Sequence, residues 1–146
     1  MVKDKKTGIE SLIEMFQVMD PKERERLLKD VQSKAPQIAE QINSQLFKFE
    51  DLAFIQPKEF QLLIRQVPDS ILYLALRGAS ETFMNGLFTT VSERKAKEIA
   101  EEIKSRGPQL QSKISAAQDE VMRLAKELEE DGKILLRRID KSGDLV

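Results

Sequence analysis

The sequence predicts an all-α fold in two lobes. Three observations carry that expectation. Helix start signals recur along the 146 residues, apolar residues return at spacings of three and four, and no hairpin signal or fixed-period repeat interrupts them. Composition agrees: 40% apolar and 34% charged residues suit a globular, helix-rich chain and not a disordered one. The length allows a real core, although a core divided between two lobes leaves each lobe marginal alone.

The first lobe is expected over residues 1–46. Thr7-Gly8-Ile9-Glu10 has the form of a capping box, and Ile9, Leu12, Ile13 and Phe16 follow at helical spacing. Asp20-Pro21-Lys22-Glu23 offers a cap, a proline at the first helical position and an acid two residues further on. Leu27, Leu28 and Val31 then share a face. A third helix is expected from Pro36, with Ile38, Ile42 and Leu46 in a stripe. Leu46-Phe47-Lys48-Phe49 breaks the pattern: two rings at a spacing of two suit a short extended connector with both rings on one side.

The second lobe is expected over residues 47–146. Glu50-Asp51-Leu52 opens a short helix. Pro57 begins another, carrying Phe60, Leu63 and Ile64. Pro68 begins a segment, Ile71 to Leu76, that is apolar nearly all round and so belongs in the centre of the core, with Gly78 as its stop. Ser80 caps a helix with Phe83, Met84, Leu87 and Phe88. Ser92 caps the next, which Gly107-Pro108 ends. The last helix runs from near Ser112 to about Asp131, Gly132 stops it, and Ile134, Leu135 and Leu136 fold back on the core. The polar tail from Arg137 to Val146 is expected to fray.

Absent residue types exclude much chemistry. Without Cys there is no disulfide, thiol nucleophile or Cys-based metal site, and without His the commonest general base and metal ligand are gone. No phosphate-binding Gly loop is present. The expectations are no catalytic residue, no metal and no cofactor. A net charge of -1 gives no pull on nucleic acid. No apolar run approaches the ~18 residues of a membrane span, so no membrane insertion is expected. Met1 to Lys6 is followed by no apolar stretch and does not read as a secretory signal. A reducing cytoplasm is the simplest home.

One helix has an unusual face. From Ser92 to Arg106, Ala96, Ile99, Ala100 and Ile103 mark an apolar side. Arg94, Lys97, Glu98, Glu101, Glu102 and Ser105 mark the other. The charges run from basic to acidic, against the helix dipole. Two readings stand: a solvated face with internal pairs such as Lys97–Glu101, or a charged ridge that meets a partner.

Four runs resemble a known family. Leu46 to Leu52 resembles the Met-Phe-x-Phe hinge and following Glu-Asp of the FliG flagellar motor switch family. Leu74-Ala75-Leu76-Arg77-Gly78-Ala79-Ser80 resembles its Leu-Ala-Leu-Lys-Gly-Ala-Ser run. Ser92 to Pro108 is similar to its Ser-x-Arg-Ala-Ala helix with a Gly-Pro end, and Ala117 to Gly132 to its final helix. The runs keep their order and spacing, and the resemblance covers Gly8 to Leu136.

The resemblance implies an armadillo-like first lobe, a hinge at Leu46, Phe47, Lys48 and Phe49, and a compact torque lobe bearing on the stator. Its torque-bearing positions fall on Arg77, Arg94, Glu101 and Glu102, whereas the family's basic residue two after Gly-Pro is replaced by Leu110. It implies as partners a MotA-like stator cytoplasmic loop, a FliM-like switch protein, and FliG or a second copy stacked on Ile9, Leu12, Phe16, Leu27 and Val31. It implies a place in the flagellar basal body at the cytoplasmic face of the inner membrane. The family's N-terminal and middle lobes, the latter with a Glu-His-Pro-Gln run, are not expected in a chain without His. Either a piece of a longer protein or a natural short paralogue would read this way. Rotor work and a torque-free adaptor that binds another FliG copy are the two function classes. An enzyme is the third, and nothing in the residues supports it.

Overall fold

The computed structural model describes residues 8–136, so the Thr7 cap and the tail from 137 onward lie outside the described residues. All regular structure among the described residues is helical, and these residues fall into two compact units, 8–48 and Phe49–Leu136.

The first unit holds α1 (Gly8–Val18), α2 (Pro21–Lys34) and α3 (Pro36–Leu46). Asp20 starts α2 as its sequence suggests: the carboxylate accepts from Lys22 N at 3.1 Å, and Pro21 occupies the first helical position, where no N–H is needed. Pro36 starts α3 in the same position but with no side-chain cap. Helix α3 packs on both α1 and α2. Ile13, Phe16, Ala39, Ile42 and Leu46 are buried. Gln17 Nε2 donates to Leu46 O at 2.7 Å, which satisfies a carbonyl that the end of α3 leaves open.

The apolar strip expected for stacking needs correction here. Phe16 is 2% exposed, because its i+3 spacing from Ile13 puts it on the inner face of α1, so it is no part of an uncovered strip. Ile9, Leu12 and Val31 are half-buried and Leu27 is exposed. The apolar side chains left open are Met15, Val18, Leu27 and Ile38. Arg24, by contrast, is buried, with its guanidinium 5.0 Å from the centroid of the Phe47 ring.

The second unit begins with a 3-10 segment, Phe49–Phe54. It continues with α4 (Pro57–Gln66), α5 (Asp69–Arg77), α6 (Glu81–Thr90), α7 (Glu93–Arg106) and α8 (Gln111–Glu130). Helix α8 is the spine: α5 lies along it, and α4 and the 3-10 segment pack on it as well. Leu72, Ala75 and Leu76 of α5 meet this core, but Ile71 and Leu74 are only half-buried, so α5 is less enclosed than its composition suggests.

Gly78 ends α5 as expected, as its C-cap, and has a second job. Its φ of -97° is ordinary. What it provides is room: a Cβ there would stand 2.6 Å from Ile114 Cγ2 and 2.8 Å from Gln118 Nε2. The missing side chain lets the end of α5 approach α8, where Gln118 Nε2 donates to Ala75 O at 3.0 Å.

At the other side of the unit, Phe83 of α6 stacks on Phe49 with centroids 4.5 Å apart and meets Phe60 edge-on at 5.6 Å. Ser80 caps α6, accepting from Phe83 N at 3.1 Å, and Glu50 in turn accepts from both the Ser80 amide and hydroxyl. After α8, Gly107's counterpart Gly132 turns the chain with φ 74°. Ile134 and Leu136 are buried, while Leu135 is exposed, because an extended segment alternates its side chains. Glu129 accepts from Leu136 N at 2.8 Å and Glu59 from Leu135 N at 3.0 Å, which ties this return to the core.

Candidate functional site: the charged face of α7

Helix α7 forms because Ser92 accepts from Lys95 N at 3.1 Å at one end and Gly107, at φ 65°, releases the chain at the other. It packs on α5 and α6. Ile99 is fully buried, Ala96 and Ile103 are half-buried, and Ala100 is exposed. The inner stripe is therefore narrower than four residues suggest: Ala100 is too short to reach the neighbouring helices from the edge of the face.

The outer face carries Arg94, Lys97, Glu98 and Glu101, all exposed, and Glu102, half-buried. The expected Lys97–Glu101 pair is not made. Lys95 pairs with Glu98 at 3.4 Å, and Glu102 takes the Nε of Arg106 at 3.3 Å. Arg94 and Glu101, seven residues and so two turns apart on one side of the helix, have no ion pair among the described residues. The two acids thus differ: Glu101 is open and Glu102 is held.

Arg77 projects from α5 and is half-buried. Its Nη1 donates to Ile103 O at 3.3 Å. A cation at the last turn of α7 satisfies an open carbonyl and meets the negative end of the helix dipole. The structure therefore puts Arg94, Glu101 and Glu102 on one helix and fastens Arg77 to the end of that helix. Leu110 is 65% exposed just before α8.

The connector also takes a definite form. Leu46 and Phe47 are buried, Phe47 is extended at φ -139° and ψ 138°, Lys48 is exposed and Phe49 is buried. The two rings are used separately: Phe47 lies beneath Arg24 in the first unit, and Phe49 stacks on Phe83 in the second. Sequence spacing alone missed Arg24 and also Arg106, whose guanidinium lies 5.0 Å from the Tyr73 ring centroid. No signal in the sequence marks either contact, since each joins residues far apart in the chain.

Residues 29–136 match the family described as FliG C-terminal domain. The chain belongs to the FliG C-terminal domain family. It is 30% identical over 131 residues to the flagellar motor switch protein FliG of Bacillus subtilis and 28% identical over 131 residues to that of Thermotoga maritima. Each comparison covers 90% of this chain and 39% of the relative, so the chain spans about two fifths of the length of these relatives. Among solved structures it resembles full-length FliG from Aquifex aeolicus, with a TM-score of 0.77 and 26% identity, over 88% of this chain and 40% of that one. The helical architecture is thus that of the FliG C-terminal region. Among the described residues no helix is long and apolar enough to cross a membrane, and no group of acids is placed to hold a metal ion.

Proposed function

We propose that this chain is a rotor-side part of a flagellar motor switch, which engages a stator cytoplasmic loop through the outer face of α7 and works by contact, without catalysis. The observation that carries the reading is the pair Arg94 and Glu101: both exposed, both without an ion partner, on one side of a helix in a FliG-type domain. Arg94 offers charge to acidic groups of the loop, and Glu101 with Glu102 to basic groups. Exposed pairs contribute only about 0–1 kcal/mol each. That weakness suits a surface that must release and re-engage at each step.

In this reading Arg77 supports the ridge by holding the end of α7, in addition to lending charge. The connector Leu46, Phe47, Lys48 and Phe49 is the hinge whose rotation re-aims the ridge and changes rotation sense. A FliM-like switch protein and other FliG copies are the remaining partners, at the cytoplasmic face of the inner membrane. The test is reversal of Glu101 and Glu102 to Lys in the native host: swimming is expected to fail, and unchanged swimming removes the torque reading.

A second reading is favoured by the open apolar side chains of the first unit, with Val18 69% and Met15 47% exposed. Such a patch suits a short adaptor that stacks on another FliG copy or on itself without torque. Light scattering of the purified chain separates a dimer from a monomer, and capture by full-length FliG tests the adaptor.

A further inference from the structure

Helices α5, α7 and α8 border a half-open cavity of about 140 Å³ beside the end of α7, with Tyr73, Leu74, Arg77, Ile103, Arg106 and Lys113 in its wall. No carboxylate lines it. Its lining cations are Arg77, Arg106 and Lys113; Glu102 on Arg106, with Asp69 and Glu98 close enough to act on Tyr73, offsets part of that charge, and Leu74 and Ile103 supply apolar surface.

Three of its groups have unused donors. Tyr73 is only 4% exposed, yet its hydroxyl makes no hydrogen bond among the described residues. No fully enclosed side-chain oxygen or nitrogen there lacks a partner, so this hydroxyl keeps its residual access through the cavity that Tyr73 lines. The ring is buried but the hydroxyl stays open to solvent, free to donate to a group that enters the cavity. Arg106 is held in place by its Nε on Glu102 and by the Tyr73 ring beneath it, which leaves its Nη groups without a hydrogen bond among the described residues. Lys113, exposed on the first turn of α8, has no ion partner there either.

We propose that this cavity receives a glutamate side chain from a partner protein, with Tyr73 Oη and the Arg106 Nη groups donating to its carboxylate and Lys113 adding charge. The apolar wall favours a side-chain acid over a free anion, since Leu74 and Ile103 take the methylenes that a free anion lacks. Leu110, 65% exposed next to the lining residue Gln109, gives an aliphatic neighbour of that glutamate a place to rest. The proposal rests on the reading of this lobe as a partner-facing surface. It adds a socket of defined chemistry to the open ridge.

The test is fluorescence anisotropy on the whole chain, using a fluorescein-labelled peptide with a Leu-Glu-Leu core and its Leu-Gln-Leu counterpart. The Glu peptide is expected to bind at least about tenfold more tightly than the Gln peptide, in a salt-dependent manner. Tyr73→Phe keeps the ring under Arg106 and removes only the hydroxyl, and is expected to weaken binding about tenfold. Lys113→Ala, at an exposed position, weakens binding and flattens its salt dependence, whereas Lys58→Ala on α4 changes neither. Equal binding of the two peptides, an unaltered Tyr73→Phe, or displacement of the peptide by equimolar inorganic phosphate would each overturn the proposal. Failure here is distinguishable from failure of the rotor reading. Motility lost on reversing Glu101, with no peptide bound, removes only the socket, and peptide binding with unaffected swimming removes only the torque.

Discussion

Tyr73 and Gly78 sit five residues apart and make opposite demands on their surroundings. Burial raises the Tyr73 hydroxyl above its ordinary pKa of 10.0, with the nearby Lys95 charge working against that rise. The folded chain then holds this proton more tightly than the unfolded one. Its contribution to stability is complete below pH 10 and is lost as pH rises through the higher folded value. Because Tyr73 is the chain's one tyrosine, ultraviolet titration reads it alone. The expected result is a midpoint above 10 in the native protein. Urea unfolding should show less loss of stability beyond pH 10 for Tyr73→Phe than for the parent. Gly78 is needed for the space it leaves. Gly78→Ala gains up to about 1 kcal/mol from a stiffer unfolded chain. It also forces a methyl into Ile114 and Gln118, at a cost of about 1–3 kcal/mol. Net destabilisation in a urea melt is the expected outcome.

At the scale of elements, the helix starts differ in how much they depend on the rest of the fold. The Asp20 cap of α2 and the Ser92 cap of α7 are local, each closed by a residue two or three further on. The Ser80 cap of α6 is not, because Glu50 of the 3-10 segment grips the same serine. Ser80→Ala is therefore expected to cost more than an ordinary cap, about 1–2 kcal/mol, and more than Ser92→Ala, in matched denaturation curves. Helix α8 shows the complementary case. Its outer Arg123 pairs with Glu120 and Glu127, and these contacts lower the Glu120 pKa and raise that of Arg123. The opposite face of α8 carries the packing.

For the whole molecule, the two units carry different kinds of surface. The first exposes apolar side chains, and the second exposes charge along α7. Arg94 and Glu101 hold nothing in place, so Arg94→Ala and Glu101→Lys are expected to shift stability by no more than about 0.5 kcal/mol. Thermal melts within that range would assign any loss of swimming to the surface and not to unfolding. Glu102→Lys should show a larger shift, since it frees Arg106 from its present partner. Val18→Asp should leave the melt unchanged and abolish any self-association seen by light scattering, since Val18 is 69% exposed.

The helical order was legible in the chain because caps, prolines and three-four spacing act within a few residues. Pro21, Pro36, Pro57, Ser80 and Ser92 each mark a start where one is found. The outward position of Arg94 and Glu101 was legible for the same reason. What the sequence left open is set by residues far apart in the chain. Fastening Arg77 to the end of α7, seating the Arg106 guanidinium on the Tyr73 ring, and using Gly78 for clearance all depend on how α5, α7 and α8 approach one another. Periodicity says which face of a helix turns inward. Only tertiary packing decides which partner waits there, because that choice is made by distances between helices that no local spacing encodes.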